Sequence, residues 1–273
     1  MKKGINQWCF PPGLALREVF EVSQQAGFSG VELNLGNQGD VGLTLESSLA
    51  DAKEIRRMAT LFGLELKSLS TALMWGTPLS ASEASIRQRG VEVIVKQLEL
   101  ASVMEMDTIL VVPGLVTEDV TYSECYERSR DELSRLLPRA QELGVRMGVE
   151  NVWNKFLLSP LEMADYVDSF ESPWMGVYFD VGNVLLTGYP QQWIRILGSR
   201  ILKVHVKDFN TKVGNMSGFT PLLAGEVNWA AVRKALREIA YEDYVTAELV
   251  PYSHHWQQLM EETARKLDVI INE

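Results

Sequence analysis

Apolar and polar positions along this chain follow two rhythms that take turns. Short runs with apolar residues at every second position, or nearly throughout, read as strands. Each is followed by a longer run whose apolar residues recur three and four apart, the spacing of one helix face. In order, the pairs are GINQWC with LALREVFEVSQQAG, GVELNL with LESSLADAKEIRRMATLFG, and LELKSLST with a long helix over about 82–105. DTILVVPG then pairs with YSECYERSRDELSRLLPRAQELG, VRMGVEN with SPLEMADYVDSF, and MGVYFDVG with PQQWIRILG. ILKVHVKDF pairs with VNWAAVRKALREIA, and YVTAELV with a last helix near 256–271, which makes eight βα units.

Gly27, Gly63 and Gly144 close three of the helical runs, where a left-handed residue costs glycine no Cβ clash, and a β-rich run follows closely. Eight strands in about 250 residues, with no hairpin signature between them, suit a closed parallel barrel better than an open doubly wound sheet. The expectation is an α/β fold, a (β/α)8 TIM barrel, with residues 1–273 as one domain because no linker rich in Pro, Gly or Ser interrupts the repeat. The long connections, 36–44, 74–81 and 209–227, all follow strands, and in a barrel those loops build the active site. The longest, with GNMSG at its middle, reads as a lid.

Four successive strand runs carry a metal-ligand side chain near their downstream ends: Glu150 in VRMGVE, Asp180 in VYFD, His205 in LKVHVKD and Glu248 in YVTAE. Strand parity tests each one separately. If Met147 and Val149, Val177 and Phe179, Val204 and Val206, and Val245, Ala247 and Leu249 face the helices, then all four candidates point inward. Any one alone is as readily an N-cap aspartate, a core histidine or a rim glutamate. Together, three buried carboxylates without partners would cost on the order of several kcal/mol each, and a cation among them removes that cost most simply. Three carboxylates and one imidazole suit Mn²⁺, Mg²⁺, Co²⁺ or Zn²⁺, and the lack of thiolates argues against a structural zinc.

Composition narrows the partners. A hydrophobic content of 46% in 273 residues is ample for a core, and a formal charge of -10 with no basic run argues against nucleic acid. No run approaches the roughly 20 apolar residues of a bilayer span, and the start lacks a signal-type apolar stretch, so no membrane partner and a cytoplasmic location are expected. Cys9 and Cys125 lie far apart without a CxxC, which fits inert thiols rather than a disulfide framework, although Cys9, at a strand end, could line a pocket.

In this order and spacing, GVELNL, VVPG, GVENVWNKF, YFDVGN, KVHVKD and YVTAEL carry a resemblance that covers essentially the whole chain. It resembles the xylose-isomerase-like TIM-barrel sugar and sugar-phosphate isomerases and epimerases, and among them the ketose 3-epimerases of tagatose/psicose and L-ribulose-5-phosphate types. The family's Glu, Asp, His and Glu ligands map onto Glu150, Asp180, His205 and Glu248, implying one divalent ion, Mn²⁺ foremost. The implied reaction is 3-epimerisation of a small sugar or sugar phosphate: the ion binds the C2 carbonyl and C3 hydroxyl and stabilises the enediolate left when the C3 proton departs. Glu150 and Glu248, on opposite sides of the ion, then serve as the acid/base pair. The sugar 3-epimerases carry a His three residues after the ligand Asp; here that place is Asn183, which can donate to a substrate hydroxyl but does not titrate. The resembled families include dimers and tetramers.

Aldose-ketose isomerases of hydroxypyruvate or hexulose-phosphate type and inosose-type dehydratases begin with the same enolisation. A non-catalytic sugar-binding barrel is the reading from another class, and the intact ligand set argues against it. The multi-zinc DNA-repair endonuclease of the superfamily needs several histidines, and this chain has three, two of them adjacent.

Lys155 and Lys207 are candidate contacts for a substrate hydroxyl or phosphate, Lys207 by inward parity, and either also suits a lysine paired with a nearby acid. Asp208 can orient a ligand from behind, and Glu32 can touch substrate or pair with a cation. Trp8, Phe10 and Trp75 offer an apolar wall to a sugar, although aromatics at strand ends are more often packing. Lys212, Gly214 and Gly218 suggest at most a loose phosphate cradle. Arg195 reads as a solvated helix charge, and His254 and His255 as rim residues.

Overall fold

A computed structural model describes residues 1–273. The strands are β1 (Lys2–Asn6), β2 (Gly30–Gly36), β3 (Ser68–Thr71), β4 (Thr108–Val111), β5 (Arg146–Glu150), β6 (Met175–Asp180), β7 (Ile201–Val206) and β8 (Tyr244–Ala247). Each lies parallel to the next, and β1 pairs with both β2 and β8, so the sheet closes into the expected barrel. The helices are α1 (Leu16–Ala26), α2 (Leu49–Leu61), α3 (Ala84–Val103), α4 (Tyr122–Leu143), α5 (Pro160–Asp168), α6 (Pro190–Leu197), α7 (Trp229–Glu238) and α8 (Trp256–Asn272).

Local signals explain the punctuation. Ser48 with Asp51 and Thr121 with Glu124 form capping boxes on α2 and α4, and prolines open α5 and α6. Gly27 and Gly144 end α1 and α4 at φ 87° and 67°, a backbone state that a Cβ disfavours. No helix is long and apolar enough to cross a membrane.

The first strand is among those shorter than their pattern suggests. β1 stops at Asn6, whose side-chain oxygen accepts from the Trp8 N–H at 2.7 Å and turns Gln7–Cys9 into a short 3-10 helix. That turn brings Trp8 to the barrel mouth. Cys9 faces away from the mouth: fully buried, its thiol donates to the Ala247 carbonyl at 3.3 Å, and burial pushes its pKa up to about 12.

Apolar residues of alternate parity, such as Val31, Leu33, Val149, Phe179, Val204 and Val245, are buried in the hydrophobic cluster. The opposite parity fills the barrel with polar groups, among them Asn6, Glu32, Ser68, Ser70, Lys203 and His205, each less than a tenth exposed. After β7 the chain forms a small antiparallel hairpin between Asp208–Phe209 and Phe219–Thr220, so the expected lid segment is folded back over the mouth.

Candidate metal centre

Register places the four acidic and imidazole groups. Asp180 lies directly across from His205 in the β6–β7 ladder, while Glu150 neighbours Tyr178 on β6 and His205 neighbours Thr246 on β8. Glu248 follows β8, and its N–H still bonds the Val206 carbonyl at 3.1 Å. One ligand atom from each of Glu150, Asp180, His205 and Glu248 lies within 4.8 Å of the others.

Asp180 and His205 are fixed from behind. Asn151 clamps the Asp180 backbone, accepting from its N–H and donating to its carbonyl, both at 2.8 Å. One carboxylate oxygen, Oδ1, caps the short helix Val181–Val184 through the Asn183 N–H at 2.8 Å, so the N-cap role and a place in the cluster coexist in Asp180. His205 is held through Nε2, 2.6 Å from Glu32 Oε1. Glu32 in turn accepts from Asn6, Ser68, Ser70 and Tyr178. This carboxylate, expected to touch substrate or to pair with a cation, sits one layer below the mouth as the partner of the histidine. A carboxylate behind a ligating imidazole fixes ring orientation and tautomer.

Two buried atoms are left over. His205 Nδ1 makes no hydrogen bond and faces Glu248 Oε2 at 3.7 Å and Glu150 Oε1 at 4.0 Å. Asp180 Oδ2 lies 2.9 Å from Lys207 Nζ without hydrogen-bond alignment. Two buried ligand atoms without hydrogen bonds, grouped with two further carboxylates and no thiolate, are what a divalent cation would satisfy.

The electrostatics reflect crowding. Burial, then the nearby Glu248, pushes Glu150 up to about 8, and burial raises Asp180 against the opposing pull of Lys207. Burial would raise Glu248 too, but Lys207 and His205 hold it below the usual carboxylate range. For Glu32 the burial penalty is outweighed by His205 and the hydroxyl donors, down to about 2; burial likewise opposes the charge on His205, yet Glu32 and Glu248 lift it to about 9. Lys207, bonded to Glu248, is raised for the same reason once burial is overcome.

Above the cluster lies a cavity of about 360 Å³ whose floor is Glu150, Glu248 and Lys207 and whose walls include Trp8, Trp75, Trp153 and Phe219. The Trp153 indole donates to the Asn183 carbonyl at 2.8 Å and packs against Phe209 and Phe219. Asn183 lines the cavity, with its amide N–H committed to the Asn151 carbonyl at 3.1 Å, which leaves its oxygen to face a ligand.

Other candidates lie elsewhere. Lys155 and Lys212 are exposed and outside the cavity lining. Asp208 is fully buried and holds the loop after β7 rather than a ligand. Phe10 packs edge-on against Trp256, Arg195 pairs with Glu238 at 2.6 Å, and His254 and His255 are exposed. Asn151 and Trp153 went unread in the sequence, although both fall in GVENVWN, directly after a ligand-bearing strand end.

Comparison with known proteins adds the following. A family model described as xylose isomerase-like TIM barrel matches residues 20–270. An uncharacterised protein of Methanocaldococcus jannaschii is 27% identical over 179 residues, covering 63% of this chain and 60% of that protein. An L-ribulose-5-phosphate 3-epimerase of Escherichia coli is 25% identical over 243 residues, 87% of this chain and 83% of the enzyme. Among solved structures, D-psicose 3-epimerase in the presence of D-fructose superposes with a TM-score of 0.82 at 18% identity, covering all of both chains. The IOLI protein with a binding zinc atom has the same TM-score at 16% identity, covering 99% of this chain and 98% of that one.

Proposed function

The chain belongs to the xylose isomerase-like TIM barrel family, and on that premise we propose that it is a divalent-metal-dependent sugar epimerase that inverts C3 of a ketose. One observation carries the reading: the orphaned His205 Nδ1 and Asp180 Oδ2 converge with Glu150 and Glu248 on one point at the floor of a sugar-sized cavity. The names of the relatives, ketose 3-epimerases of phosphorylated and free sugars, support the reaction class.

A cation held by Glu150, Asp180, His205 and Glu248 would supply Lewis acidity at the carbonyl and hydroxyl oxygens of the ketose. The chain's own residues account for the proton movements. Glu150 and Glu248 come from β5 and from the end of β8, with β6 and β7 between them, so their carboxylates flank a bound sugar from two sides. One removes the C3 proton and the other returns a proton to the opposite face, and the roles exchange with the starting epimer. Glu32 and Asn151 keep His205 and Asp180 aimed inward. Trp8, Trp75 and Trp153 cover the sugar and exclude water, so that a proton taken by either glutamate is not lost to bulk.

Proton NMR in D₂O with Mg²⁺ or Zn²⁺ and a panel of ketoses and ketose phosphates tests this. Metal-dependent loss of the C3 proton signal is expected, with Asp180→Ala inactive and with Glu150→Gln and Glu248→Gln each reduced by about 10²–10⁴-fold while circular dichroism is unchanged. Exchange at C1 would move the protein to the aldose-ketose isomerases. Full activity in both glutamine variants would end the acid/base assignment.

A further inference from the structure

We propose that the sugar taken here is an unphosphorylated, uncharged ketose, an inference that rests on the epimerase reading and decides between the two substrate classes its relatives' names offer. A terminal phosphate carries roughly two negative charges at neutral pH and is held by guanidinium or ammonium groups, or by free backbone N–H groups at a loop-helix junction. The cavity of this barrel offers no lysine or arginine besides Lys207, and the N–H groups beside its β7 loop are already bonded.

The cations come first. Lys207 is the one lysine or arginine lining the cavity, and its ammonium donates to Glu248 and lies 2.9 Å from Asp180 Oδ2. Across the eight strand-to-helix loops the other lysines are Lys155 and Lys212, both exposed and outside the cavity, and no arginine is present. Acidic residues outnumber lysines in those loops, and the whole chain carries -10, so the field at the mouth repels a dianion.

The backbone donors after β7 are also taken. In barrels of this type the loops after the seventh and eighth strands, with an adjacent helix N-terminus, frequently hold phosphate. Here the donors beside the β7 loop are satisfied by a buried carboxylate of the chain itself. Asp208 Oδ1 accepts from the Phe209 N–H at 2.9 Å and the Val227 N–H at 3.1 Å, and Oδ2 accepts from the Trp229 indole at 2.9 Å. Asn228 caps the first turn of α7 at 3.0 Å. Gly225 makes room for this arrangement, since a Cβ there would lie 2.2 Å from Asp208 Oδ1. An incoming phosphate would meet a carboxylate where it needs donors.

The far end of the sugar has a largely apolar place to go. The main cavity shares Trp8, Lys207, Met216, Phe219 and Glu248 with an annex of about 310 Å³ whose outer wall is Pro221, Leu249 and Val250. Met216 and Val250 are 69% and 79% exposed, apolar surface that a sugar's terminal carbon would cover.

The test is a matched pair, L-ribulose against L-ribulose 5-phosphate and D-tagatose against D-tagatose 6-phosphate, with the Mg²⁺-loaded protein. It is read by C3 proton exchange and by quenching of tryptophan fluorescence. Each free ketose should exceed its phosphate at least tenfold in kcat/KM and should quench at concentrations where the phosphate does not. Met216→Lys, at an exposed position that tolerates charge, should raise kcat/KM for the phosphate about tenfold and narrow the ratio. A phosphate preferred by the unaltered protein, with C3 exchange observed, overturns this inference and leaves the epimerase reading standing. Quenching by free ketoses without exchange overturns the reaction and leaves the pocket assignment. Neither signal with any sugar overturns both.

Discussion

His205 is gripped on one ring nitrogen and bare on the other, and that asymmetry carries most of the site's meaning. Glu32 behind it is one of the most heavily bonded side chains in the barrel, with partners from four other strands. Glu32→Gln keeps the shape but loses the charge-assisted bond to the imidazole. Metal affinity should fall about 10–100-fold in calorimetric titration while Glu150, Asp180 and Glu248 stay in place. Unchanged affinity would show that ring orientation is set by packing against Tyr178, whose ring centroid lies 4.6 Å away, rather than by the carboxylate.

At the scale of elements, the strands are rigid mounts and the loops above them shape the cavity. The segment between β7 and α7 is the longest of these, and Asp208 pins its base through three donors while Gly225 lets the chain pass against it. Gly225→Ala forces a Cβ to within 2.6 Å of the Phe209 nitrogen as well as against the carboxylate. A cost of about 1–3 kcal/mol in urea unfolding is expected. Displacement of Phe219 and Met216 should raise KM more than it lowers kcat, because both residues wall the cavity away from the proton-transfer groups. A variant with wild-type stability and KM would mean that the loop is not held at its base.

For the whole molecule, the barrel is closed by β1 pairing on both sides, and its polar interior ends in an acidic cluster that costs folding energy until it is neutralised. A cation that binds the native state alone should stabilise it by about 2.7 kcal/mol at a hundredfold excess over Kd. For a chain of this size that corresponds to roughly 5–10 °C in Tm. Chelation should reverse the gain and Asp180→Ala should abolish it. An equal metal-dependent shift in that variant would place the cation elsewhere on the acidic surface.

The periodicity of apolar residues by itself determined the eight βα units, because alternation and 3.6-residue spacing are local properties that survive wherever a segment is packed. Parity likewise pointed Glu150, Asp180, His205 and Glu248 inward, since a strand has only two faces. What only the tertiary structure decided was depth and partnership. Glu32 and Glu248 share the same inward parity, yet one, third in β2, lies 2% exposed beneath the histidine and the other, just past β8, lines the cavity. Parity favoured Lys207 over Lys155, but only the structure set Lys207 beside two carboxylates and left Lys155 exposed. Asp208, one residue past Lys207, turned out to anchor a loop through donors that follow it by as many as 21 residues. Those outcomes depend on barrel stagger and loop closure, which bring together atoms remote in sequence, and no local pattern encodes that.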